Sequence, residues 1–359
     1  MTILIFLGVL FALVLVHEWG HFIVAKKTGM QVDEFGIGFP PRVFSFRRGG
    51  TLYSLNLLPI GGFVKILGED GVSDEEAGNP KTFSSRPRTA QAAVLLAGVV
   101  MNVLFAWVLF VAVFLLGVPQ TVSEVSAGES ASLMISTVVA DSPAEDAGLS
   151  AGDTILTLHD GTALFTDVTP TQFVEVVTKG SPVTITYESK GELYETTTTP
   201  VVGLIADDPS RATIGVGLTL IEVIKEPLGV ALREATYMTG HSLVAIVGGV
   251  YGLLSDAVLG QADLSEVAGP IGIAGMAGDA ASFGLTSLLL FTAFISLNLA
   301  IINLLPFPAL DGGRVLMVAI EGATRRRINP VWAGRLNLVG FVLLLLLMIL
   351  VTYNDIGNL

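Results

Sequence analysis

The chain has 359 residues, 52% of them hydrophobic and 14% charged, a balance that belongs to an integral membrane protein and not to a soluble one. It has no cysteine, which excludes disulfides, thiolate metal sites and thiol nucleophiles, and it has only four histidines. The net charge of −13 gathers between residues 118 and 226, where 16 acidic residues stand against 4 basic ones, so no nucleic acid is expected as a partner.

Residues 1–26 form the first predicted transmembrane helix, apolar over 2–25. The segment lacks a basic leader and a small-residue cleavage site, so it reads as retained. Inside it lies His17-Glu18-Trp19-Gly20-His21, the HExxH pattern. Helical residues at i and i+4 share a face, so both imidazoles can aim at one metal ion. Glu18, one residue after the first ligand, can serve as general base on water. A site of two imidazoles, one carboxylate and one open position suits a single zinc ion. The bland alternative is a chance match. Ionisable groups are costly at membrane depth, and that cost favours the functional reading.

Residues 27–89 read as a cytoplasmic-side, membrane-associated β-region and loop. Gly49-Gly50 predicts a hairpin turn ahead of a strand over 51–58, and 71–82 is a polar exposed loop. A sheet partly dipping into the membrane must be buried in protein or line a wet cavity. Its edge could pair with an extended substrate; a hairpin with structural duties alone is the equal alternative.

The second span is 90–117. Residues 118–226 then form a soluble domain of short β-branched runs separated by turn residues. Its stretch Ser142-Pro-Ala-Glu-Asp-Ala-Gly-Leu-Ser-Ala-Gly-Asp153 resembles the bacterial PDZ domain, and Ile214, Gly215, Val216 and Gly217 are similar to the PDZ carboxylate-binding loop. The resemblance implies peptide binding by strand addition, with a steric gate or spacer as the alternative. His159 reads as an ordinary histidine of that domain.

The apolar run 228–259, interrupted by Arg233, Glu234 and His241, is a fifth candidate span, but the charge balance of the loops makes residues 227–283 interfacial, as a helix or helices at the outer side. The third span, 284–306, leads into Asn303-Leu-Leu-Pro306-Phe-Pro308-Ala-Leu-Asp311-Gly312-Gly313, where two prolines break the helix. Alone, Asp311 would read as a helix cap. Beside an intramembrane HExxH on a histidine-poor chain, it reads as the third metal ligand. A cytoplasmic-side segment, 307–335, precedes the fourth span, 336–353.

Segments 26–88 and 314–335 carry 14 of the 19 basic residues, and the positive-inside rule puts both in the cytoplasm. A fifth span at 228–259 would expel one of them. The expected fold is therefore a polytopic α-helical membrane protein of four transmembrane helices, with a membrane-associated β-sheet and one inserted extracytoplasmic PDZ domain.

The HEWGH pentapeptide, Leu58-Pro-Ile-Gly-Gly-Phe-Val-Lys65, the PDZ motif, Gly269-Pro-Ile-Gly-Ile273 and the Asn303–Gly313 motif occur in one order. Together they resemble the site-2 protease family of intramembrane zinc metalloproteases (peptidase M50), in particular the RseP-like regulators of sigma-E type. This chain departs in having room for one PDZ domain of about 100 residues where Gram-negative members have two. The resemblance implies a metalloendopeptidase that cuts single-span membrane proteins, such as anti-sigma factors or signal-peptide remnants, within or near their spans. It implies one Zn²⁺ on His17, His21 and Asp311, Glu18 as the catalytic base, and Asn303 as a substrate-backbone or oxyanion contact. Membrane lipid is the surrounding partner, and a peptide ligand of the PDZ domain is a further one. The location implied is the bacterial cytoplasmic membrane, multi-pass, with both termini and the PDZ domain outside. The rival readings are a non-catalytic PDZ membrane scaffold, a surface zincin with Asp33 or Glu34 as ligand, and a cation transporter.

Overall fold

A computed structural model describes residues 1–69, 79–124, 128, 131–189, 191–204, 208–260 and 268–357. The polar loop expected at 71–82 therefore lies mostly outside the described residues. The chain divides into two compact units, one of Met1–Val113 with Leu228–Leu359, the other Phe114–Pro227.

The first unit begins with α1, Thr2–Lys27. Its buried residues Leu13, His17, Gly20, His21 and Ala25 recur at helical spacing and define one inward face. Lys26 and Lys27 close the last turn, where positive charge complements the helix dipole. Strands β1 (Val32–Arg48) and β2 (Thr51–Ile66) follow. Gly49 and Gly50 both take left-handed φ, +59° and +81°, as a two-residue hairpin turn requires. Both strands are far longer than the expected 51–58, because each continues through its own proline bend. Residues 42–48 of β1 pair with 51–56 of β2, whereas residues 32–37 pair with both 52–55 and 62–66. The two strands thus make a sheet of four segments. The sheet's polar groups are paired: Ser54 Oγ and Arg42 both bond Glu34, and Asn56 Nδ2 donates to the Gly38 carbonyl. Helix α2, Arg88–Leu116, returns as the second apolar span.

The second unit contains β3 (Val118–Val122), β4 (Ser132–Val138), a four-residue α3 (Pro143–Asp146), β5 (Thr154–His159), β6 (Leu164–Thr166), α4 (Pro170–Thr178), β7 (Val183–Ser189), β8 (Glu192–Thr198) and β9 (Val216–Ile224). The sheet order is β3-β9-β4-β5-β7-β8, with β6 on β5. Ser142 caps α3, and Thr169 with Gln172 forms a capping box on α4. Leu133, Ile135, Leu158, Phe173, Ile185 and Ile214 form the centre of the core. Ile185 is fully buried on β7, so Ile185→Ala is expected to destabilise this unit by roughly 2–5 kcal/mol. Urea unfolding followed by tryptic cleavage within 118–226 reads that loss.

The first unit resumes with α5 (Leu228–Leu259), α6 (Pro270–Ser282), α7 (Leu285–Leu304), α8 (Asp311–Thr324) and α9 (Pro330–Gly357). Helix α5, expected as part of the helical segment 227–283, runs unbroken through Arg233, Glu234 and His241. Arg233 and Glu234 form an ion pair at 2.8 Å on its surface, and both are good helix formers. Among the described residues five helices are long and apolar enough to cross a membrane: α1, α2, α5, α7 and α9. The sequence pointed to four. Helix α6 begins at the Gly269-Pro-Ile-Gly motif, whose Gly269, Ile271 and Gly272 N–H groups donate to the Asp355 carboxylate of α9. These are donors that a helix start leaves without partners, and an anion there also meets the positive end of the helix dipole. Near the other end of α6, a Cβ on Gly278 would strike Thr2 of α1. Both ends of α6 thus lie by the start of α1 and the finish of α9.

Candidate metal centre

His17 and His21 stand one turn apart on the buried face of α1, each 8% exposed. Their Nε2 atoms are 3.1 Å apart. Asp311 Oδ2 lies 3.0 Å from His17 Nε2 and 3.3 Å from His21 Nε2. Donors at bond lengths of 2.0–2.1 Å around a tetrahedral ion sit about 3.3 Å from one another. The three side chains therefore fit one zinc ion without rearrangement, and no other trio of His, Asp or Glu among the described residues gathers in this way.

The break after α7 delivers Asp311. The chain turns through Pro306 and Pro308, passes Ala309 at φ +76°, and starts α8 at Asp311. A Cβ on Gly312 would collide with the Leu304 and Leu305 carbonyls, and one on Gly313 with that of Phe307. Only glycines let the first turn of α8 fold back onto the end of α7. In that fold Asp311 is set against the two histidines.

Glu18 opens into a cavity of about 510 Å³ together with His17, His21 and Asp311. The cavity is also lined by Phe63 to Leu67, the last segment of β2 and the residue after it. This segment pairs with β1 through 62–66. A Cβ on Gly62 would come 3.5 Å from Glu18 Cγ, so the strand passes close beside the acid. Arg314 of α8 pairs with Glu69 in the turn after β2, and both line the cavity. Asp33 lines it too, held by Gln31 at 2.8 Å, and stands apart from the ligand trio.

The other expected site residues lie elsewhere. Asn303 is half-buried in the last turn of α7, outside the residues that line the cavity. Ile214 is buried in the core of the second unit, and Gly215 takes φ +86°. Their carbonyls accept from Ala144 N and Val139 N. Val216 and Gly217 begin β9, paired with Val138 and Thr137 of β4.

Sequence reasoning missed the face of α2 that packs on the histidines. Val94, Gly98 and Asn102, spaced by four, lie on one side of that helix. His21 Nδ1 bonds the Val94 carbonyl at 2.8 Å. That bond places a proton on Nδ1 and leaves Nε2 bare for a metal. A Cβ on Gly98 would stand 2.5–2.7 Å from His21 Nε2 and from His17 Cε1 and Nε2. Asn102 is fully buried, and its side-chain amide reaches His17 Nδ1 at 3.3 Å. The available signal was a lone amide in the apolar run 92–106.

An HExxH helix joined by a distant carboxylate, with an acid open to a polar cavity, is the equipment of a metal-dependent hydrolase. Residues 5–347 match the sequence profile described as Peptidase family M50. The chain belongs to that family, and it is a metalloprotease by membership. A relative from Clostridium perfringens, provisionally named a zinc metalloprotease, is 35% identical over 96% of this chain and 95% of its own. The zinc metalloprotease RasP of Oceanobacillus iheyensis is 31% identical over 100% of this chain and 99% of its own. A solved PDZ domain of an SdrC-like protein from Listeria monocytogenes covers 26% of this chain and 92% of its own, at 23% identity and a TM-score of 0.21. That likeness carries no argument about the second unit.

Proposed function

We infer that this chain is an intramembrane zinc metalloprotease that cuts single-span membrane proteins within or near their transmembrane segments. One observation carries the reading: His17 and His21 stand on an apolar span, Asp311 joins them from α8, and their cavity is lined by residues 63–66 of β2. Zinc held by these three residues supplies Lewis acidity toward a scissile carbonyl and toward water. Glu18 takes the proton of the attacking water and returns it to the leaving amine. Strand 62–66 offers main-chain donors and acceptors to a substrate drawn out of its helix, which must unwind before its carbonyls are open to attack. Asn303 stands as an oxyanion or substrate contact only if the broken segment turns it inward in the complex.

The location proposed is the bacterial cytoplasmic membrane, with the centre opening to the cytoplasm and both termini and the 118–226 domain outside. Lysines 26 and 27 at the near end of α1 support that orientation. The positions of Thr2 and Asp355 at the two ends of α6 support four spans, with α5 and α6 at the outer side. The 118–226 domain is proposed as a PDZ domain, its carboxylate loop at Ile214–Gly217, open to a peptide ligand or acting as a filter of substrate size.

The test uses purified protein and a single-span substrate with a helix-weakening centre. Chelation is expected to abolish cleavage, and stoichiometric zinc to restore it, with product masses placing the cut inside the span. Cuts confined to exposed segments point to a surface zincin. No cleavage of any single-span substrate tried, with zinc bound, favours the PDZ scaffold.

A further inference from the structure

We propose that Asn102 is a positioning residue for His17: its side-chain amide oxygen accepts the His17 Nδ1 proton and so keeps the Nε2 lone pair aimed at the metal. The proposal rests on the metalloprotease reading of His17, His21 and Asp311.

Two imidazoles share the centre, and each needs its second nitrogen protonated if Nε2 is to ligate. For His21 the acceptor is plain, the Val94 carbonyl at 2.8 Å. For His17 the group at Nδ1 is the Asn102 amide at 3.3 Å, two helical turns further along the same face of α2. His17 Nε2 is committed to the other side, 3.0 Å from Asp311 Oδ2 and 3.1 Å from His21 Nε2. A proton on Nε2 would point it into the ligand cluster. The proton therefore belongs on Nδ1, and Nδ1–H requires an acceptor.

Asn102 can supply one. The two ends of a side-chain amide have nearly the same shape, and rotation by 180° exchanges them at constant volume. In either orientation the end of the amide away from His17 lacks a partner among the described residues, Oδ1 when the nitrogen faces the ring and Nδ2 when the oxygen does, so the need of His17 Nδ1 decides between them. With oxygen toward His17, the bond to the ring is kept, and its direction becomes the one that ligation demands. The residue is fixed in place for this. It is fully buried, and its main-chain carbonyl receives Ser296 Oγ of α7 at 2.8 Å, which anchors this turn of α2. Val94 and Asn102 thus act as a pair, one by main chain and one by side chain, with Gly98 between them giving the rings room.

Full-length protein in detergent is titrated with zinc against a graded chelator, and with Co²⁺, whose visible absorption reports tetrahedral coordination. Asn102→Leu removes the acceptor at similar volume and is expected to weaken zinc binding on the order of 10–100-fold. Its metal-free melting temperature is expected to stay near that of the wild type. Asn102→Asp keeps an acceptor, of the kind most often found behind zinc-bound histidines, and is expected to hold zinc within about threefold of wild type. Leucine binding as tightly as asparagine overturns the proposal. Equal weakening by leucine and aspartate also overturns it, because that pattern marks packing alone. If the leucine variant does not fold, Asn102→Ala takes its place in the same contrast with aspartate. Wild-type protein that takes up no zinc overturns the metal reading itself, and with it this proposal, before any substitution is compared.

Discussion

Glu18→Gln is expected to retain about one zinc per chain and to lose proteolysis by a factor on the order of 10²–10⁴. Glutamine keeps the volume and one acceptor but cannot take a proton from water. Glu18 lies outside the ligand trio, so its loss leaves the metal's donors in place. It faces the same cavity as those donors, so its loss is felt at the reacting atoms. Metal analysis and single-turnover cleavage on the same preparation separate the two effects. Loss of zinc together with activity would move Glu18 from base to structural support. Full activity without its proton-taking group would remove it from the mechanism.

Gly98→Ala is the second large effect, and its sign runs against local expectation. Alanine in a helix interior is better than glycine by about 0.5–1 kcal/mol, so α2 alone would gain. The added methyl, however, falls 2.5–2.7 Å from ring atoms of both histidines. His21 cannot retreat without leaving the Val94 carbonyl, and His17 cannot retreat without leaving Asp311. Zinc sites hold their distances to about 0.2 Å, so the shift needed is several times the tolerance. We expect zinc binding to fall at least 100-fold, in line with the loss of an orienting partner and a displaced ligand together. Zinc content after dialysis against a chelator measures this, and helix content by circular dichroism checks that α2 persists. A variant that keeps its zinc shows that the two helices part to admit a methyl.

The sequence made different parts of the molecule legible for different reasons. His17, Glu18 and His21 are one local pattern, and helical geometry alone brings them to one face. Asp311 is 290 residues beyond His21, and no spacing rule joins them. It was readable because two prolines and two glycines around it announce an enforced break. The Val94, Gly98 and Asn102 face was not readable in the same way. The role of Gly98 is defined by the rings it admits, and in a helix of Ala, Val, Leu and Phe it looks like any small residue. In the second unit, the short β-branched runs 135–139, 155–158, 182–187 and 214–219 overlap β4, β5, β7 and β9. Strand β8, Glu-Leu-Tyr-Glu-Thr-Thr-Thr, is mostly exposed and lacks an alternating apolar face, so it gave little sign of itself. The second pairing of β1 depends on contacts across the proline bends, which local propensity does not encode.

Strand β3 occupies part of the outer edge of β9. Val118–Val122 pairs antiparallel with Leu220–Ile224, and just beyond it Glu124 accepts a 2.6 Å hydrogen bond from Thr171 in the first turn of α4. Any peptide that adds to this edge enters a contest with a strand already tethered to it. A tethered competitor acts at an effective concentration in the mM range, so a free peptide must bind tightly, or be presented at a comparable local concentration, to take its place. A segment held in the same membrane meets the second condition without the first. If the proposed peptide ligand adds at this edge, the self-pairing of β9 sets a condition that a ligand delivered in two dimensions meets more easily than one arriving from solution.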